Sequence, residues 1–230
     1  MDYIWQGLQQ AAVLIFTLDP ETYSAVITTL KVTFTSITLS VIIGVPLGFL
    51  LGYFNFPGKK QLRMVVDTLL AIPTVVVGLL VYAFISRRGP LGWTNLLYTV
   101  PGIAIAQVFL ILPIVISLTA TAIEGLDRRL RPTLRSLGAG RVQLALTSLH
   151  EARFAVLIAV ITAYGRAISE VGIAMMIGGN IKWYTRTMTT AITLETGKGQ
   201  FSMGIALGVI LLLIVFLLNS ALVLLRRRTT

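Results

Sequence analysis

The stretch VTFTSITLSVIIGVPLGFLLGYFNFPG, Val32 to Gly58, contains no charged residue and decides the fold class of this chain. Charge at the centre of a bilayer costs roughly 2.5 kcal/mol or more per residue, and a helix needs about 20 residues to cross the hydrocarbon. This run is long enough and apolar enough to do so. Three others share the property: Thr68 to Ser86, Gly89 to Ile123 and Gly199 to Leu225. A fifth, Phe154 to Ile177, has the length and the apolar character but carries Arg166 and Glu170 four residues apart. Five spans follow, and with them an all-α membrane protein.

Composition agrees. Of 230 residues, 56% are hydrophobic and 12% charged, against about 25% charged in soluble domains, and the mean hydropathy is +0.87. Cysteine is absent and His150 is the one histidine. That excludes disulfides, Cys-based zinc or iron-sulfur sites, thiol nucleophiles and multi-histidine metal centres. The net charge of +10 follows the topology rule for cytoplasmic loops rather than a nucleic-acid footprint.

Lysine and arginine alternate in density from loop to loop. Lys59, Lys60 and Arg63, then Arg128, Arg129, Arg131, Arg135, Arg141 and Arg153, then Arg226, Arg227 and Arg228 put twelve on one side. Arg87, Arg88, Lys182, Arg186 and Lys198 put five on the other, with Lys31 and Arg166 left within spans. The N-terminus is therefore expected outside and the C-terminus inside. Met1-Asp2-Tyr3 lacks the positive start of a signal peptide. Residues Ile4 to Leu18 read as an interfacial helix on the outer face, a sixth span being the alternative.

Residues 1–21 thus form an extracytoplasmic interfacial segment and 22–230 one membrane domain without low-complexity linkers. Its long cytoplasmic loop, about 124–153, is rich in arginine. There Leu134, Leu137, Val142, Leu144, Leu146 and Leu149 form an apolar stripe broken at Gly138-Ala139-Gly140, which predicts two short helices around a glycine turn. Such a loop is either a docking surface for a partner or an amphipathic connector resting on anionic lipid.

At this loop the sequence resembles the membrane permeases of ATP-binding-cassette importers. Arg135-Ser136-Leu137-Gly138-Ala139-Gly140 is similar to the centre of their coupling motif, E-A-A-x3-G-x9-I-x-L-P. Only the glycine is retained: Pro132, Thr133 and Leu134 stand at the E-A-A positions, and Ser148 to Glu151 at I-x-L-P. Thr29 to Thr33 leading to Ile43-Gly44-Val45-Pro46-Leu47-Gly48 resembles the first permease helix, and Ala71 to Leu79 the second span. Gly165-Arg166-Ala167-Ile168-Ser169-Glu170-Val171-Gly172, followed by Ile177 to Ile181, looks like the RAxxExG…GGNI stretch of the molybdate, sulfate and tungstate permeases. Thr185 to Thr187 and Thr189 to Thr196 bring it nearest the tungstate branch.

The resemblance implies a type I importer permease fold in a prokaryotic cytoplasmic membrane. It implies two permease copies enclosing the path, two cytoplasmic ATPase subunits that bind ATP and magnesium, and an extracytoplasmic tungstate-binding protein. This chain would be a transport subunit with no cofactor and no catalytic residue, and it lacks a G-x-x-x-x-G-K-[ST] phosphate loop. Arg135, Leu137, Gly138 and Ala139 would couple to the ATPase, Gly138 by taking positive φ or by admitting close backbone approach.

The spans offer further candidates. Ser36, Ser40, Gly44, Gly48 and Gly52 recur every four residues as one small-residue face suited to helix packing or to pore lining. Thr29, Thr33 and Ser36 prolong a hydroxyl stripe that could meet a partly dehydrated oxyanion or bond back to its own helix. Pro46, Pro73 and Pro113 should each kink a span or free carbonyls. Arg166 and Glu170 can pair on one helical face as a structural tie or gate, or contact substrate. Outside, Gly178, Gly179, Asn180, Lys182 and Arg186 could present backbone N–H groups and positive charge to an anion, or form a turn for the binding protein. Molybdate or sulfate is the alternative cargo. A secondary carrier would need coupling-ion residues, and Glu170 is the one acidic residue deep in a span. An intramembrane enzyme would need a catalytic constellation, which the spans do not offer.

Overall fold

Each long apolar run becomes helix because lipid offers its backbone no other hydrogen-bonding partner. The computed structural model describes residues 2–127 and 129–228, with the side chains of 221–228 left aside; of the loop arginines, Arg128 lies outside the described residues. The helices are α1 (Asp2–Phe16), α2 (Pro20–Tyr53), α3 (Lys59–Leu69), α4 (Thr74–Ile85), α5 (Val100–Glu124), α6 (Leu130–Ser136), α7 (Arg141–Glu151), α8 (Arg153–Ile168), α9 (Gly172–Gly178), α10 (Met188–Gly197) and α11 (Phe201–Arg228).

Three of them, α2, α5 and α11, are long and apolar enough to cross a membrane singly. Two more spans arise if bent pairs are counted, α3 with α4 at 96° and α7 with α8 at 55°. By length and composition that makes three spans, or up to five, and two of the expected runs are not single rods. The Thr68–Ser86 run breaks at Leu70–Pro73, because proline supplies no N–H and disfavours helix at the residue before it. The Phe154–Ile177 run breaks at Ser169–Val171, between α8 and α9. Pro46 and Pro113 lie inside α2 and α5, which run through them.

The chain divides into two compact units that α2, α5 and α8 each enter in turn. Unit 1 comprises the residues up to Ser36, Pro73–Gln107 and those from Gly165 onward; unit 2 comprises Ile37–Ile72 and Val108–Tyr164. Within unit 1, α1 packs on α11: a Cβ on Gly7 would lie 2.7 Å from Cγ2 of Ile205, and Ala11 and Leu14 share a core with Ala206, Leu207 and Ile210. With 15 residues rising about 1.5 Å each, α1 falls short of a span.

Unit 2 shows what the small-residue face does. Gly44, Gly48 and Gly52 of α2 meet Val115, Thr119 and Ile123 of α5, four residues per step on both helices. This is close helix packing rather than an open lining. Beside it, α3 turns its polar face toward α5. Lys59 Nζ pairs with Glu124 at 3.0 Å, Arg63 donates to Thr121 Oγ1 at 2.6 Å, and Ser117 donates to Asp67 Oδ1 at 2.7 Å. Leu62, Met64 and Val65 on α3 stay exposed, an inside-out amphipathic helix suited to lipid.

Candidate transport and coupling sites

Arg166 lies in the last turn of α8, and Glu170 lies just past its end. The pair forms as the spacing suggests, at 3.0 Å, but across a helix break rather than along one helix. The break gives the carboxylate a second task. Its Oε2 accepts from Arg166 Nη1 while Oε1 accepts the Ile173 N–H at 3.1 Å, satisfying a donor at the start of α9. The Glu170 carbonyl accepts from the Thr189 hydroxyl at 2.8 Å. The Glu170 side chain is 2% exposed and that of Arg166 39%, so a buried carboxylate is matched to a cation that still reaches a surface. Gly172 leaves the space: a Cβ there would sit 3.3 Å from both Glu170 Oε1 and Thr74 Oγ1.

Nearby, Gln107 of α5 is buried, donating to the Ala167 carbonyl at 3.2 Å and accepting from Ser36 at 3.0 Å. It ties α2 and α5 to the end of α8. Sequence reasoning passed over it, although a lone amide in an apolar helix was the available signal. The hydroxyl stripe is likewise internal to the protein: Thr29, Thr33 and Ser36 are all buried. The Thr29 hydroxyl donates to the Ala25 carbonyl at 2.7 Å and accepts the Met188 N–H at 2.8 Å, which holds the start of α10.

The loop after α9 is bonded mostly to itself. Gly179 (φ 67°) and Asn180 (φ 50°) turn the chain, Thr185 donates to the Gly178 carbonyl, and the N–H groups of Tyr184, Thr185 and Arg186 all converge on the Ile181 carbonyl. Gly178 and Gly179 admit Ile103 and Tyr98, which would lie 2.6 Å and 2.8 Å from added Cβ atoms. The two cations are not free to meet an anion. Lys182 Nζ and Arg186 Nη1 both bind Glu21, the former at 2.6 Å, and Arg186 Nε donates to Asn180 Oδ1 at 3.2 Å. Glu21 is the third member of this cluster and was not singled out in the sequence, because the chain separates it from Arg186 by 165 residues and from Lys182 by nearly as many.

In unit 2 the long loop forms α6, a turn and α7. The Gly138 N–H donates to the Arg135 carbonyl and the Ala139 N–H to the Leu134 carbonyl, with Gly138 at φ 85°. This is a Schellman ending, in which the residue past the helix takes the left-handed conformation. No atom lies within 4 Å of a Cβ built on Gly138, so conformation, not close approach, calls for glycine. Gln143 Oε1 accepts the Gly140 N–H at 2.8 Å to start α7. The apolar stripe then divides. Leu144 is buried, whereas Leu137, Val142 and Leu146 are 77%, 71% and 63% exposed, beside exposed Arg135 and Arg141.

Residues 44–230 match the family described as binding-protein-dependent transport system inner membrane component. The chain belongs to that family. Among its relatives it is 48% identical over 219 residues to the tungstate uptake system permease protein TupB of Campylobacter jejuni, covering 95% of this chain and 92% of that protein. It is 37% identical to TupB of Peptoclostridium acidaminophilum, covering 96% of each. In fold, this transport-system component matches a chain of the inward-facing MetNI methionine ABC transporter with a TM-score of 0.72 at 21% identity, over 93% of this chain and 98% of that one. The fold is that of a type I importer permease.

Proposed function

We propose that this chain is the permease subunit of an ATP-driven importer that carries tungstate across a prokaryotic cytoplasmic membrane. The observation that carries the reading is the 48% identity, over nearly full length, to a tungstate uptake permease. Two copies enclose the path, two ATPase subunits hold ATP and magnesium, and an extracytoplasmic binding protein delivers the anion. The N-terminus is outside and the C-terminus inside. Residues 22–230 are the permease domain, with 1–21 an interfacial segment before it.

Arg135, Leu137, Gly138 and Ala139 dock on the ATPase. The exposed Leu137, Val142 and Leu146 supply an apolar contact surface that nothing among the described residues of this chain covers. Closing of the ATPase pair then moves two such segments together and switches access across the membrane. Arg166 and Glu170 act as a latch at the α8–α9 break, where a change in the ion pair alters the start of α9. Thr29, Thr33 and Ser36 hold the helices around this latch. Gly178, Gly179, Asn180, Lys182 and Arg186 form a rigid outer loop that meets the binding protein, Glu21 keeping its cations neutralised until then.

The test is reconstitution of the permease with its ATPase in liposomes. Tungstate-loaded binding protein should stimulate ATP hydrolysis. Stimulation by molybdate or sulfate but not tungstate would reassign the cargo, and hydrolysis indifferent to all three would sink the importer reading.

A further inference from the structure

The first three turns of α2, the start of α5 and the loop at 181–184 enclose a groove of about 420 Å³. Tyr23, Ser24, Ile27, Lys31, Trp183 and Tyr184 line it, and no acidic side chain does. Lys31 is exposed and has no ion pair or hydrogen bond among the described residues. Lys182, Arg186 and Lys198 on the same side each have a carboxylate partner; Lys31, set in an apolar helix, does not.

Its depth is fixed by the sequence. The charge-free run of α2 starts at Val32, so Lys31 stands where the hydrocarbon ends and the headgroups begin. Phe34, one turn into the run on the same helical face, is 75% exposed, which turns that part of the face toward acyl chains. Trp183 and Tyr184 are exposed on the self-bonded loop, Trp183 held at φ 66°. A bulky residue in the left-handed region costs about 1–3 kcal/mol and persists only where its surroundings impose it. Aromatic side chains with a polar end favour the headgroup level, and a lysine stem can lie along apolar surface while its ammonium reaches a phosphate.

We propose that this groove binds the phosphate headgroup of an anionic phospholipid, with the Lys31 ammonium on the phosphate and Tyr23, Trp183 and Tyr184 around it. The site rests on α2 crossing the bilayer and not on the identity of the transported anion, so it can fail or stand separately from the tungstate assignment.

The full-length chain, with Trp5→Phe and Trp93→Phe so that Trp183 alone fluoresces, is placed in nanodiscs containing brominated phosphatidylglycerol or brominated phosphatidylcholine. One basic residue near a membrane is worth about a five-fold preference for an anionic headgroup. Half-quenching of Trp183 should therefore occur at about five-fold lower mole fraction of phosphatidylglycerol than of phosphatidylcholine. Lys31→Arg should keep this ratio and Lys31→Met should bring it to one. Equal quenching in the parent chain, or a preference that survives Lys31→Met, overturns the proposal. Absence of quenching by either lipid would show that protein, such as a second copy, covers the groove, and overturns it too. If inorganic phosphate or tungstate relieves the quenching, the site takes a soluble oxyanion and the lipid assignment falls. Should Lys31→Met fail to insert, the parent ratio, the Lys31→Arg ratio and the competition decide.

Discussion

The α-carbon of Gly48 faces the Ile116 carbonyl so closely that an added Cβ would lie 2.6 Å from that oxygen. Thr119 Cβ would be 2.7 Å away on the same side. Backbone cannot yield as a side chain can, so α2 and α5 approach at this distance only while residue 48 is glycine. Gly48→Val should destabilise the permease by about 1–3 kcal/mol or more, the range for overpacking. Gly208→Val is the control, since nothing lies within 4 Å of a Cβ there. Thermal unfolding in detergent should separate the two, and equal midpoints would disprove close packing at Gly48.

Gly138→Ala tests the turn before α7. Because the demand is for positive φ alone, alanine should cost about 1 kcal/mol without blocking assembly. Gly138→Asp adds charge at the proposed docking turn and should lower the ATPase recovered with the permease from membranes while insertion stays normal. Full recovery and full transport in Gly138→Asp would remove the coupling role from this turn.

Arg166 and Glu170 allow a cycle of variants. Removing one partner of a buried pair strands the other at a cost of about 3–5 kcal/mol by soluble-protein precedent. Arg166→Met should be the worse single change, because Glu170 is the deeply buried member. Glu170→Gln retains an acceptor for the Ile173 N–H and should be milder. The double variant should regain much of the assembled complex. Assembly regained without transport would assign the pair to gating, and a double variant no better than Arg166→Met in either readout would refute the pairing.

Orientation is open to reporter fusions. A tag after Thr230 should be protected in intact cells, and one before Met1 accessible from outside. The reverse pattern at either end overturns the N-out, C-in arrangement.

Charge-free runs alone determined that this is a helical membrane protein with about five spans, because a lipid solvent penalises each misplaced charge and admits few backbone conformations. The glycine turn between α6 and α7 was also legible, since Gly138 and its neighbours act through local hydrogen bonds. Spacing likewise foretold that Arg166 and Glu170 would meet. Pro73 announced the break before α4, but the break between α8 and α9 was decided elsewhere. Residues Ser169 to Val171 leave the helix where Gln107 and Thr189, distant in sequence, take up the Ala167 and Glu170 carbonyls. The same holds for Glu21 with Lys182 and Arg186, for the α3–α5 polar ladder, and for the burial of Thr29, Thr33 and Ser36. Each depends on which faces of separate helices come together. A helical period states which residues share a face, but only packing determines whether that face meets protein, lipid or water.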